Sequence, residues 1–303
     1  MRWAAAAKSL AMTLGAAVVG CGGSPPPSRF PDGQAAIDRM RATYECLRGV
    51  RGEAKIDHMN ERGRIRGNLM FFAVEPQLVR FDVVSPFGVT LATLTSDGRR
   101  FAMTDLREKK FFEGPASPCN IARLTQVPIP GHALVSLLHG EAPVLVHEPA
   151  AASIAWRSSG LFSRSSFYEV VVASTRDARE TIRLVPHPDD FAKPWSEQRV
   201  RVLGVRVEQQ GVVLYDADLH DHARAEMAGP IVDEDNIEPP IPPNGPACSV
   251  DIPRRIHVSV PGTEDDVRFS YTEAKLNPPL PDGVFVQEMP SGVQRIVVGP
   301  CDR

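Results

Sequence analysis

The sequence has no excess of either charge, no acidic tail, and no second apolar run long enough to cross a bilayer. Lys and Arg number 34 against 37 Asp and Glu, a formal net charge of −3. Nucleic-acid binding leaves a basic footprint, and there is none here. Catalytic signatures are missing as well. There is no Gly-x-Ser-x-Gly nucleophile elbow, no phosphate-cradling Gly-rich loop and no dinucleotide fingerprint. None of the 5 cysteines is spaced C-x-x-C, as a zinc or redox site would be. No repeat of solenoid period is visible. These absences point away from an enzyme and from a resident cofactor or metal.

What is present begins with Cys21. It ends the run Val18-Val19-Gly20-Cys21 and is followed by Gly22-Gly23-Ser24-Pro25-Pro26-Pro27. With Arg2 and Lys8 at the start and an apolar stretch over 9–19, this resembles a bacterial lipoprotein signal. The stretch is too short to span a bilayer as a helix, which takes about 20 residues, and reads as a cleaved signal. The expected organisation is a signal peptide over 1–20, a Pro/Gly/Ser tether over 21–31 with acyl chains on Cys21, and a folded domain over 32–303. The residues after Cys21 are not the aspartate that retains many enterobacterial lipoproteins in the inner membrane. The expected location is the outer membrane, lipid-anchored on its periplasmic face.

Cys46, Cys119, Cys248 and Cys301 remain. An even number in an oxidising compartment favours disulfides. Four cysteines allow three pairings, and loop size and topology favour Cys46–Cys119 with Cys248–Cys301.

Asp32 caps a helix expected to run to about residue 47, with Ile37, Met40, Tyr44 and Leu47 on one face. The apolar period then changes to two. Runs at 54–57, 64–72, 78–83, 89–94, 100–103 and 110–112 are separated by Gly63, Glu75-Pro76, Ser85-Pro86 and Asp97-Gly98. Short alternating runs between tight turns predict an antiparallel meander. Ser117-Pro118 opens a short helix, and a second, over 133–138, ends at Gly140. Strands are expected again at 154–157, 168–173, 181–185, 199–208, 212–217, 254–260, 267–271, 284–287 and 295–298. The Pro-rich, acidic stretch 229–246 reads as a surface loop. The fold class this implies is α+β, with one antiparallel sheet of about ten strands. A sheet that large curls strongly or closes, and helices would cover its concave apolar face.

Several segments, in this order, resemble the LolA/LolB family of periplasmic lipoprotein carriers and outer-membrane lipoprotein receptors. Ser85-Pro86-Phe87-Gly88-Val89-Thr90-Leu91 is similar to the Pro-Leu-Gly turn after the third strand of LolB. Leu124-Thr125-Gln126-Val127-Pro128-Ile129-Pro130, with Leu134 and Leu137-Leu138-His139-Gly140, resembles the stretch leading into the family's lid helix. Leu276-Asn277-Pro278-Pro279-Leu280-Pro281 and Val284-Phe285 resemble the close of related lipoproteins. The resemblance implies an incomplete, half β-barrel whose concave hollow takes the acyl chains of a cargo lipoprotein, handed over by a periplasmic carrier protein. Leu69, Phe71, Phe81, Val83, Leu91 and Phe101 are the expected lining, with Leu134 and Leu138 from the lid. A slip of one residue in strand parity would turn any of them to the other face. Phe87 stands where LolB carries an outward-pointing leucine implicated in handing cargo to the membrane, so its implied role is membrane contact. The chain is longer than LolB, chiefly in its second half, and 229–246 has no counterpart there.

Two other readings compete. An envelope scaffold lipoprotein would use the same fold to bind a protein partner, through 229–246. A metal-dependent envelope enzyme would use Asp216, Asp218, His220, Asp221 and His222, four of which alternate onto one face if the strand continues. A solvated strand end explains the same residues. His187-Pro188-Asp189-Asp190 reads as a polar turn.

Overall fold

The computed structural model describes residues 24–61, 63–158, 166–233, 235 and 238–301. Residues 1–20, Cys21 and the two glycines after it lie outside them; the rest of the expected tether, 24–31, lies within, and Phe30 there is buried against Tyr168 and Trp195. Among the described residues there are three α-helices: α1 (Gly33–Tyr44), α2 (Pro118–Thr125) and α3 (Gly131–His139). The first strands are β1 (Gly49–Asn60), β2 (Gly63–Val74), β3 (Leu78–Val84), β4 (Thr90–Ser96), β5 (Arg100–Asp105) and β6 (Lys110–Pro115). After α2 and α3 come β7 (Ala152–Ser158), β8 (Ser166–Ala173), β9 (Ala178–Pro186), β10 (Val200–Gln209) and β11 (Val212–His220). Three two-residue strands follow, β12 (Ala223–Arg224), β13 (Glu226–Met227) and β14 (Asp251–Ile252). Then come β15 (Arg255–Val260), β16 (Asp265–Leu276) and β17 (Gln294–Val297).

Fifteen of the strands form one sheet, in the order β17-β6-β5-β4-β3-β2-β1-β16-β15-β11-β10-β9-β8-β7, with β13 beside β16. The sheet is large and curved, and it is not closed: β17 and β7 are its two ends. It is mixed, because β17–β6 and β13–β16 pair in parallel and the remaining pairs are antiparallel. The N-terminal meander β1–β6 and the C-terminal meander β7–β11 are joined where β16 pairs along β1.

Register and alternation decide the buried face. Across the central strands, Ala54, Leu69 and Val83 lie opposite one another, as do Gly52, Phe71, Phe81, Leu94 and Met103 in the next row. These rows point to the concave side. The helices cover that side because each has one apolar face. Asp32 caps α1, its carboxylate accepting from Ala35 N at 2.8 Å. Spacing of three and four then puts Ala36, Ile37, Met40 and Tyr44 against β7, β8 and β10. Pro118 sits at the first turn of α2. α3 packs Leu134, Leu137 and Leu138 onto β1, β2 and β3 and is ended by Gly140 in the left-handed conformation.

Two expectations are corrected. Residues 284–287 form no strand; they cross the outer face of the N-terminal meander, where the Gln287 amide nitrogen donates to the carbonyls of Thr93 and Ala102. The disulfides are Cys46–Cys248 and Cys119–Cys301, with Cα separations of 5.2 and 5.9 Å. The expected pairing of nearer cysteines fails because strand order overrides loop size. β16 returns beside β1, which brings the segment before β14 to Cys46. β17 docks on β6, which brings the C-terminal end of the chain to α2.

Candidate functional site

Burial on the concave face grades along the strands. On β2, Ala73, Phe71 and Leu69 are buried, Gly67 is half-buried, and Ile65 is 64% exposed. On β1, Val50 and Ala54 are buried and Ile56 is half-buried; on β3, Val79 and Phe81 are buried and Val83 is half-buried. The helices therefore cover the end of the sheet where β2 meets β3, and leave apolar surface bare at the opposite end. That end carries the β1–β2, β3–β4 and β5–β6 turns.

Of the residues expected to line a hollow, Leu69, Phe71, Phe81, Phe101, Leu134 and Leu138 belong to one buried core cluster, with Val83 packed against it. They fill the covered end by packing on one another. Leu91 is outside that cluster and 42% exposed, on the rim of the cleft at the bare end. A bulge between Val83 and Val84 pairs Val83 with Ala92 and Val84 with Thr90, so Leu91 is the extra residue and Ala92 and Leu94 take the concave face. This one-residue shift cannot be read from alternation.

The bare end is shaped by local turn chemistry. In the β3–β4 turn, Ser85 Oγ accepts from Phe87 N and Val89 N, Gly88 N donates to Ser85 O, and Gly88 has φ of +78°. The turn holds Phe87 out, 92% exposed. Val89, Leu91 and Leu106 are exposed beside it, and Leu106 N donates to Leu91 O at 3.0 Å. A cleft of about 560 Å³ opens here, lined by Ile56, Gly67, Val83, Pro86 and Leu91, with Lys55 and Arg66 among its polar residues. Gly67 forms a notch: a Cβ there would meet Ile56 Cγ2 at 3.7 Å and Val83 Cγ1 at 3.8 Å, ordinary contact distances.

Three acidic or basic groups are buried on the helix-covered side. Glu180 on β9 has no exposed surface and accepts from Leu145 N at 2.7 Å. Burial pushes its pKa up to about 7, against the opposing effects of that N–H and of Arg41. Burial, with the Glu75 charge nearby, pushes Glu141 up to about 8. His139 at the end of α3 is held down at about 4 by burial.

The cluster Asp216, Asp218, His220, Asp221 and His222 does not assemble. Asp216 and Asp218 do share the outer face of β11, but Arg206 and Arg183 from other strands bind their carboxylates. Asp221 pairs with Arg255 at 2.5 Å. With φ of +55°, Asp221 breaks the alternation, and His222 turns inward while His220 stays exposed. These residues are a solvated strand end, and they do not gather into one ligand set among the described residues. His187, Asp189 and Asp190 are held as a polar turn, with His187 on Asp251 at 3.0 Å and Asp190 on Arg199 at 2.6 Å.

No family model matches the sequence, and no curated protein matches it. Solved structures share its architecture. A DUF1329 family protein from Desulfovibrio piger aligns over 89% of this chain and 100% of its own, at 9% identity and a TM-score of 0.52. A LolA superfamily protein from Nitrosomonas europaea aligns over 85% and 99%, at 10% identity and a TM-score of 0.47. A domain assigned to outer membrane lipoprotein sorting, from Vibrio parahaemolyticus, aligns over 84% and 95%, at 10% identity and a TM-score of 0.45. The chain shares the fold of the DUF1329 family protein. In this chain the curved sheet carries the three helices of the described residues on its concave side and its bare apolar surface at the turn end. No helix among the described residues is long and apolar enough to cross a membrane.

Proposed function

We propose that this chain is a lipid-anchored outer-membrane protein, facing the periplasm, whose half-barrel binds an apolar ligand and catalyses no reaction. The acyl chains of a lipoprotein are the preferred ligand, received from a periplasmic carrier and passed into the outer membrane. One observation carries the reading: the uncovered end of the concave face is the end that presents Phe87, Val89 and Leu91 to solvent. An acyl chain entering beside the Gly67 notch meets Ile56 and Val83 first. Each buried methylene contributes about 0.8 kcal/mol, and no polar chemistry is required. Deeper entry needs α3 to shift, since Phe71, Phe81, Leu134 and Leu138 are packed together. The lipoprotein signal at Cys21 supports the anchor, and the sorting role assigned to the Vibrio domain supports the cargo.

The test uses the mature chain, starting at Gly22 so that it is not acylated. It should retain acylated species by mass spectrometry and bind a fluorescent fatty acid. Gly67→Val should cut probe binding without lowering the melting temperature. Phe87→Glu should bind the probe normally yet slow its transfer to liposomes. If no lipid is retained and no probe binds, the carrier reading fails. The packed interior favours a second reading in that event, a scaffold lipoprotein that binds a protein partner on the same fold.

A further inference from the structure

We infer that Glu75, His139 and Glu141 form a divalent-cation site, zinc foremost, which ties the end of α3 to the turn between β2 and β3. One ligand atom from each side chain lies within 4.8 Å of the others. The imidazole is the strongest part of the case. The His139 side chain is 1% exposed, and its Nε2 lies 2.9 Å from Ala73 O. A carbonyl only accepts, so Nε2 carries the hydrogen and Nδ1 carries a lone pair. That Nδ1 is buried and has no hydrogen-bond partner, and it faces Glu141 Oε1 at 4.0 Å. A ligating histidine is commonly held this way, one nitrogen donating to a carbonyl while the other takes the metal.

The backbone places the second ligand deliberately. Gly140 has φ of +91°, and its N–H and that of Glu141 donate to Leu137 O and Ser136 O. This cap folds Glu141 back beside His139. A Cβ at residue 140 would come within 2.5 Å of Pro253 Cδ, so the turn admits only glycine. The Glu141 carboxylate makes no hydrogen bond among the described residues. It also sits at the negative end of α3, where a carboxylate is disfavoured and a cation favoured. Glu75 reaches in from the β2–β3 turn. Its Oε2 pairs with Arg48 at 3.2 Å, which leaves Oε1 for a cation. An open cleft of about 670 Å³, lined by Glu75, His139, Ser136 and Arg48, gives an entry path and room for a water ligand.

One imidazole with two carboxylates suits a borderline cation such as zinc better than calcium. Zinc bonds of about 2.1 Å in tetrahedral geometry put ligand atoms about 3.4 Å apart. The 4.0 Å between Nδ1 and Glu141 Oε1 closes to that with a small carboxylate rotation. The bound ion would clamp α3 to the sheet at the end opposite Phe87. This assignment does not depend on the carrier reading.

The test titrates zinc into the tag-free full-length chain, purified in detergent and stripped with chelator. Calorimetry should show one equivalent binding with micromolar or tighter affinity, and zinc should raise the melting temperature. Cobalt in its place should give visible absorption bands. Glu141→Gln, which keeps shape, should weaken binding roughly 100-fold and abolish the bands, with unchanged circular dichroism. Glu75→Gln should weaken it too, and both variants remain informative if replacing the buried His139 prevents folding. The assignment is overturned by the absence of stoichiometric binding, or by binding that neither glutamine variant alters.

Discussion

Asn277 joins three stretches of chain through one side chain. Its Nδ2 donates to Cys46 O at 2.9 Å and to Pro246 O at 2.8 Å, and its Oδ1 accepts from Arg48 N at 2.7 Å and Gly49 N at 3.3 Å. It is fully buried, with φ of +49°, a region asparagine enters more readily than most residues. Asn277→Ala leaves two donors and two acceptors without partners and should cost about 2–4 kcal/mol, measured as a lower urea midpoint at constant slope. Glycine at 277 would relieve the backbone yet lose the same bonds, so it should rescue little. Asn277-Pro278 could be quoted from the sequence only as part of a resemblance, because one of its partners lies 231 residues away. Phe87 was legible for the opposite reason: a Ser-Pro-x-Gly turn is local chemistry. Leu91 was not, because a bulge leaves no trace in alternation.

The C-terminal strap is the element that sequence reading misplaced. After Asn277 the chain crosses the outer face of β2 to β5, where Val284 O accepts from Arg80 and Phe285 meets Phe72 edge-on at 6.5 Å. Gln287 bonds both side chains and backbone there, including Thr95 Oγ1 and Thr104 Oγ1. β17 then adds to β6 in parallel, and Cys301 closes onto Cys119 of α2. The apolar residues Val284 and Phe285 gave a strand signal, whereas the segment is held by side chains and needs no ladder. Cys301→Ser removes the clasp. Hydrogen exchange should then quicken over residues 284–298 and in β5 and β6, and stay unchanged in β8 to β10. The helices were better read, since a cap, a proline at the first turn and a terminal glycine are short-range signals.

At the scale of the whole molecule, the buried Glu180 makes a contribution to stability that falls as pH rises, opposed by the buried His139 and His222, whose imidazoles burial holds neutral. Glu180 has a folded pKa of about 7 against an ordinary 4.5. The folded state thus holds a proton that the unfolded state has lost between those values. Stability contributed by protonation is full below about pH 4.5 and gone above about pH 7. The difference is at most about 3 kcal/mol, with Arg41 and the Leu145 N–H reducing it and Tyr215 facing the carboxylate from β11. Glu180→Gln should raise the melting temperature at pH 8 above that of the unmodified chain and flatten its pH profile. The α+β class and the run of short strands were legible from alternation and turns. Which strands lie side by side was not, since β16 inserts next to β1, and with it went the disulfide pairing. That insertion also orders events in time. β1 is made early, yet its second edge stays bare until residues 265–276 have been synthesised. Throughout that interval a 12-residue strand is open to the wrong neighbour.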